Sequence, residues 1–139
     1  MTDIFSKQKR SEIMSRIKSK NTKPEIVIRK LLHNYGFRFR LHRRNLPGIP
    51  DIVLPKFKTA IQVRGCFWHL HKCRLSSLPK TRKNYWRKKL NNNVQRDSKN
   101  DRLLKKMGWN LIVIHECKID SISRIKKTFG KTVKQIYSQ

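Results

Sequence analysis

Acidic side chains are what this sequence has least of. Eight Asp and Glu stand against 35 Lys and Arg in 139 residues, a formal net charge of +27 with histidine neutral. A domain so charged repels itself, and natural chains carry such a charge where a polyanion neutralises it in use. A lysine-rich solvated surface is the plain alternative. Long apolar runs are missing too: Leu111-Ile112-Val113-Ile114 is the longest candidate, against roughly 18–20 residues for a membrane span. No basic amphipathic helix dominates, which favours nucleic acid over an anionic membrane surface. The segment Met1-Thr2-Asp3-Ile4-Phe5 lacks the apolar centre of a secretory signal, so a cytoplasmic location is expected. With only three cysteines, an odd number, a disulfide scaffold is excluded; metal ligation or burial as small hydrophobes remain. Yet 37% of the residues are hydrophobic and 9% aromatic, too many core-formers for a disordered basic tail. One compact domain spanning 1–139 is expected.

The chain shows no repeats and no low-complexity tract. Lys7 to Lys18 reads as a basic helix with Ile13, Met14 and Ile17 as its apolar stripe. Thr22-Lys23-Pro24-Glu25 is a capping-box pattern opening a helix from Ile26 to Tyr35, closed by Gly36. Phe37 to Leu41 alternates with period 2 and reads as a half-buried strand. The turn Leu46-Pro47-Gly48-Ile49-Pro50 leads into a short strand, Asp51 to Leu54. A second central strand is expected over Thr59 to Arg64, and an irregular loop from Gly65 to Leu78. A long helix from Lys83 to Met107 is weakened at Asn91-Asn92-Asn93 and stopped by Gly108. A strand from Trp109 to Ile114 and a helix from Ile119 to Ile136 complete an α/β domain, a mixed sheet flanked by helices.

Because acids are so scarce, each needs a reason. Glu12 pairs with Arg16 one turn on, and Asp3 sits near the chain start; Asp120 is placed as a helix N-cap. Asp101 and Glu116 have no role beyond the surface. Glu25, Asp51 and Asp97 remain. Asp51 follows Pro50 at the start of a strand, where a carboxylate can hold Mg²⁺ facing a crevice and clamp a phosphate; a turn-capping aspartate is the alternative. Eleven residues on comes Gln62-Val63-Arg64. Pro-Asp, a gap, then acid-or-Gln, any residue, basic is the layout of metal-dependent nucleases with a restriction-endonuclease core.

The segment Gly65-Cys66-Phe67-Trp68-His69-Leu70-His71-Lys72-Cys73 is more specific. Cys66, His71 and Cys73, with Cys117 after the last strand, supply four N/S ligands for a closed tetrahedral zinc site; buried reduced cysteines are the alternative. His69 is open between a further ligand and a proton-transfer group. Phe67 and Trp68 fit either a core or aromatic wedges entering a base stack. Trp86 and Asp97 share a helix face but lie about 16 Å apart at roughly 1.5 Å per residue, too far to act on one atom. Lys83, Arg87, Lys88 and Lys89 surround Trp86 and suit a DNA backbone.

Together, Leu46 to Asp51 and Gly65 to Cys73 strongly resemble the very short patch repair DNA mismatch endonucleases. Asn21 to Glu25, Trp86, Asn93 to Asp97, and Gly108-Trp109 through Glu116-Cys117 match as well, in collinear order from about Lys9 to Cys117. The resemblance implies a restriction-endonuclease-like fold and Mg²⁺-dependent nicking beside the T of a T:G mismatch left by deaminated 5-methylcytosine. It further implies Asp51 and the Val63 carbonyl as Mg²⁺ ligands, His69 as catalytic histidine, Asp97 as its orienting partner and Glu25 as an accessory acid. By the same resemblance Cys66, His71, Cys73 and Cys117 hold structural zinc, and Phe67, Trp68 and Trp86 wedge into DNA. One departure stands out: a family member carries threonine then histidine where this chain has Val63-Arg64. A backbone carbonyl does not depend on its side chain. Arg64 can supply positive charge at the scissile phosphate, but it stays protonated and cannot act as a base.

The expected protein is thus a monomeric, nucleoid-associated bacterial-type endonuclease with no membrane contact. Residues 1–20 grip DNA as a basic arm, Lys83, Arg87 and Arg64 contact it too, and other repair proteins are conceivable recruiters. The rival functions are a restriction-type nickase reading a sequence and a zinc-stabilised DNA-binding module without catalysis. For the C-terminal helix, with Lys126, Lys127, Lys131 and Lys134, core cover, DNA contact and partner surface all stay open.

Overall fold

The computed structural model describes residues 21–69, 71–73 and 78–138. The helix expected over Lys7 to Lys18, the Glu12–Arg16 pair and the 1–20 arm lie outside the described residues.

Helix α1 spans Lys23–Tyr35. The Thr22 side chain accepts from the Glu25 N–H at 3.4 Å, proline occupies the first turn, and Gly36 ends the helix at φ +114°. Glycine takes that left-handed conformation without the Cβ clash other residues meet. Ile28 and Leu32, one turn apart, are fully buried, each contributing roughly 1.5–3 kcal/mol of transfer free energy.

Strands β1 (Arg40–Leu41), β2 (Ile52–Leu54), β3 (Thr59–Arg64) and β4 (Asn110–His115) form one sheet in the order β1-β2-β3-β4. The first two pairings are antiparallel. The β3–β4 pairing is parallel over six residues, from Thr59↔Asn110 to Arg64↔His115. A parallel pair needs a crossover, and it is provided by α2 (Lys83–Lys106); α3 (Ile122–Tyr137) follows β4.

Alternation along the strands gives the sheet two covered faces. Ile52, Leu54, Ile61, Ile112 and Ile114 pack with Ile28 and Leu32 of α1 and Ile136 of α3. Val53, pointing the other way, packs with Leu46 and with Leu104 of α2. The expected mixed sheet flanked by helices is therefore observed, with α1 and α3 on one face and α2 on the other. Phe129 and Val133 of α3 pack on the core, so this helix is core cover on that side. Lys126, Lys127, Lys131 and Lys134 face outward. Among the described residues, no helix is long and apolar enough to cross a membrane.

Several boundaries differ from expectation. The strand expected over Phe37 to Leu41 is paired only at Arg40↔Val53 and Leu41↔Ile52. Phe37 instead turns into an aromatic cluster with Tyr35, Phe57 and Tyr137. The long helix runs unbroken through Asn91, Asn92 and Asn93, because Leu90 and Leu104, both fully buried, anchor it on either side of that weak patch. The last helix starts at Ile122 rather than Ile119. Ser121, not Asp120, is its N-cap, accepting from the Arg124 N–H at 3.3 Å, while Asp120 pairs with the Arg124 guanidinium at 2.8 Å. The short and final strands each begin one residue late, at Ile52 and Asn110, and Glu116–Lys118 forms a 3-10 turn.

Candidate active site and cysteine cluster

Asp51 is delivered by the Pro-Gly turn. Gly48 has φ +76°, and a Cβ there would lie 3.2 Å from Asn100 Cβ and 3.3 Å from Gln62 Nε2. The Gln62 amide donates to the Gly48 carbonyl at 3.1 Å, tying the turn to β3. Asp51 is 8% exposed, and its Oδ2 accepts from the Val63 N–H at 2.8 Å. The carboxylate thus reaches across to the neighbouring strand. Burial drives the Asp51 carboxyl up to about 7; the Val63 N–H opposes this, and the adjacent Glu25 carboxyl adds to it.

Glu25 comes from the first turn of α1 and is 1% exposed. Its Oε2 accepts from Arg29 Nη2 at 3.0 Å and from the Asn21 N–H, and its Oε1 lies 2.9 Å from His42 Nε2. One oxygen or nitrogen each from Glu25, His42 and Asp51 lie within 4.8 Å of one another. Two buried carboxyls beside an imidazole are a donor set that fits a divalent cation.

His69 Nδ1 contacts Asp97 Oδ2. A carboxylate only accepts, so Nδ1 is the donor, and in the neutral ring it is Nε2 that keeps the lone pair. The loop is fixed from both sides for this. The His69 N–H bonds the Gly65 carbonyl at 3.3 Å, and Asn93 of α2 donates to the Trp68 carbonyl at 3.3 Å. The 11-residue spacing in α2 that separates Asp97 from Trp86 thus serves two tasks, one orienting a histidine and one completing an aromatic group.

Arg64 does not stand free beside the acids. Asp101, given no role from sequence, holds it through both terminal guanidinium nitrogens at 2.6 and 3.1 Å. Glu116, likewise unassigned, accepts from the Cys66 N–H at 3.4 Å.

Cys66, His71, Cys73 and Cys117 converge, with one ligating atom from each within 4.8 Å of all the others. Cys117 Sγ and His71 Nδ1 are 3.5 Å apart. Zinc bonds of about 2.3 Å to sulfur and about 2.0 Å to nitrogen at tetrahedral angles put such a pair roughly 3.5 Å apart. The four residues fit the ion. Without metal, burial pushes the Cys66 thiol up to about 12, so a metal would displace its proton. The His115 ring stacks on His71 at 3.8 Å between centroids. Burial, and then the His71 charge, push His115 down to about 4, and its buried Nδ1 has no hydrogen-bond partner among the described residues.

Phe67, Trp68 and Trp86 form one half-buried cluster, with centroids 5.1, 5.6 and 6.0 Å apart. Tyr85 packs edge-on against Trp86, and Lys89 Nζ lies 5.7–5.9 Å from the Trp68, Tyr85 and Trp86 rings. Lys83 and Arg87 are exposed nearby on α2. Leu90, by contrast, is core.

Sequence reasoning missed His42, Asp101, Glu116 and Tyr85. Asp101 lies one helical turn beyond Asp97, so the shared face was a usable signal. His42 carried none, because its proximity to Asp51 exists only through the β1–β2 pairing.

Residues 2–75 match the family model described as DNA mismatch endonuclease Vsr. A type II nicking enzyme, V.XorIIP, from Xanthomonas oryzae pv. oryzae is 44% identical over 91% of this chain and 93% of its own. The type II nicking enzyme V.NmeAIP from Neisseria meningitidis serogroup A is 41% identical over 98% of this chain and 97% of its own. The DNA mismatch endonuclease Vsr of Escherichia coli K12 is 37% identical over 84% of this chain and 75% of its own.

Proposed function

The chain belongs to the DNA mismatch endonuclease Vsr family and is a DNA endonuclease, and from that premise we propose that it nicks one strand beside the T of a T:G mismatch in a Mg²⁺-dependent hydrolysis. The observation that carries this reading is the gathering of buried Asp51, bonded to the Val63 N–H at 2.8 Å, with Glu25 and His42 within 4.8 Å; His69, oriented by Asp97, adds a proton-transfer group.

In this reading the domain is restriction-endonuclease-like, and Asp51 and the Val63 carbonyl hold Mg²⁺, with Glu25 as accessory acid. When bound, the ion supplies positive charge to a phosphodiester oxygen. His69 manages a proton at Nε2, its ring held by Asp97. Phe67, Trp68 and Trp86 enter the base stack at the mismatch, where unstacking costs least. Lys83, Arg87 and the 1–20 arm contact phosphates of a DNA that one monomer engages in the cytoplasm. Arg64 lies at the edge of this surface, its guanidinium held by Asp101. Zinc on Cys66, His71, Cys73 and Cys117 has four protein ligands and no open position, so its part is structural.

The test compares nicking of two duplexes that differ at one pair, T:G against C:G, with Mg²⁺ and with EDTA, for the native chain and Asp51→Ala. A Mg²⁺-dependent nick beside T in the T:G duplex alone, lost in Asp51→Ala, is the expected result. Cutting of both duplexes favours a sequence-reading nickase, a reading to which the names of the Xanthomonas and Neisseria relatives lend weight. Full activity in Asp51→Ala overturns the site assignment.

A further inference from the structure

We propose that His42 is a ligand of the catalytic metal, making this an N/O site that prefers Mn²⁺ over Mg²⁺. This rests on the reading of Asp51 as a metal site and adds to it a side chain from the bend that follows β1. His42 is not close to Asp51 by chance of loop position: its N–H donates to the Asp51 carbonyl oxygen at 3.2 Å, so the β1–β2 pairing sets the two residues side by side.

Backbone conformation points the same way. His42 has φ +47°, a left-handed geometry that is uncommon for residues other than glycine and costs on the order of 1 kcal/mol or more. Such a cost persists where the surroundings require it, and here it accompanies an imidazole directed at a buried carboxyl. Glu25 is held so that one oxygen is spoken for and one faces the site. Its Oε2 takes the Arg29 guanidinium and the Asn21 N–H, and Oε1 faces His42 Nε2 at 2.9 Å. An octahedral ion with bonds of about 2.1 Å has adjacent ligands roughly 3.0 Å apart. The Glu25–His42 separation therefore already has the length of one edge of such a shell, and Asp51 supplies a further oxygen within the same 4.8 Å cluster.

The consequence is selectivity. A site of carboxylates, carbonyl and water suits Mg²⁺, whereas an imidazole nitrogen raises affinity for the first-row transition ions. His42 also supplies a histidine to a centre that has Arg64 at the position where a relative of the family carries one, and Arg64 is itself engaged by Asp101.

The experiment measures Mn²⁺ binding to the full-length chain without DNA, its cysteine cluster saturated with zinc, by electron paramagnetic resonance titration and spin-echo envelope modulation. The native chain is expected to show Mn²⁺ with a directly coordinated nitrogen. His42→Gly, which keeps the left-handed backbone at no steric cost, is expected to lose that signal and about 10- to 100-fold in Mn²⁺ affinity, with a smaller loss for Mg²⁺; His69→Gln keeps the signal. Tight Mn²⁺ binding that needs Asp51 but shows no nitrogen in the native chain overturns the His42 assignment and leaves the Asp51 reading standing. Binding unaffected by Asp51→Ala overturns both. The native-chain spectrum decides the matter even if a variant fails to fold.

Discussion

Arg64 at the end of β3 is clamped by Asp101 of α2 through two nitrogens, at 2.6 and 3.1 Å, with both side chains mostly shielded from water. The pair joins the strand that carries Val63 to the helix that carries Asp97, so the two halves of the candidate site are set against each other through it. A double-mutant cycle on Arg64→Ala and Asp101→Ala, followed by denaturant unfolding, should give a coupling of about 1.5–3 kcal/mol, the range of hydrogen bonds to charged groups. Nicking should fall in either single variant, because His69 and Asp51 lose their common frame. A coupling near zero would mean that the pair is incidental.

Asp97→Asn tests the orientation of His69. An amide can present its NH₂ to Nδ1 and so stabilise the wrong tautomer. Single-turnover nicking is expected to drop by at least tenfold, and by roughly 10²- to 10⁴-fold in His69→Ala, the usual share of proton transfer. DNA affinity in a filter or anisotropy assay should stay unchanged in both. Equal losses in affinity and rate would assign the pair to DNA binding instead.

The aromatic cluster and the basic face make separable contributions. Trp86→Ala should weaken binding to T:G duplex by about 1–3 kcal/mol, the range for a stacked base, with little effect on matched DNA. Lys83→Ala and Arg87→Ala should weaken both duplexes alike and lower the salt slope by about one each. The checks are titrations at two or more salt concentrations. If Trp86→Ala weakens both duplexes equally, the ring is core rather than wedge.

Zinc content should be one per chain, and Cys73→Ser should lower zinc affinity by at least about tenfold. The loop between β3 and α2 is anchored to Cys117 through this cluster, so its loss should also lower the melting temperature and release His69 from Asp97. Metal analysis and thermal melts of the same samples check this. Native melting behaviour after complete zinc removal would make the cluster a set of buried thiols.

Stability in Mg²⁺-free buffer should depend on pH through Asp51. Its carboxyl sits at about 7 in the folded chain against an ordinary 3.8, so the folded state binds more protons between these values. Stability is then full below about pH 4 as far as this group is concerned, and it is lost as pH rises towards 7. Asp51→Asn should flatten that slope and melt several degrees higher than the native chain at pH 8. Added Mg²⁺ should stabilise the native chain at pH 8 and leave the variant unchanged. A native chain that gains stability from pH 5 to 7 more than the variant would contradict the burial of this charge.

Much of the architecture was legible because its causes are local. The Thr22 cap, Gly36 and the Ile28–Leu32 spacing set α1 by short-range rules, and β3 fell on Thr59 to Arg64 as expected. Where expectation failed, a partner decided. Phe37 to Leu41 alternates like a strand, yet β1 holds only Arg40 and Leu41, while Phe37 packs against Tyr35, Phe57 and Tyr137. Asn91 to Asn93 are poor helix formers, yet buried Leu90 and Leu104 hold the helix through them.

The site divides the same way. By itself the sequence determined which residues are chemically equipped: a scarce aspartate behind a Pro-Gly turn, three cysteines and a histidine at ligand spacing, and a histidine among aromatics. It also pointed to an anionic partner, because a charge of +27 is a property of composition and survives any fold. Only the tertiary structure decided who touches whom. His42 meets Glu25 across 17 positions, Arg64 meets Asp101 across 37, and Cys117 meets His71 across 46. Contacts at such separations leave no periodic trace in a single sequence, since they depend on sheet register and on where α2 crosses the sheet rather than on any local preference of the chain.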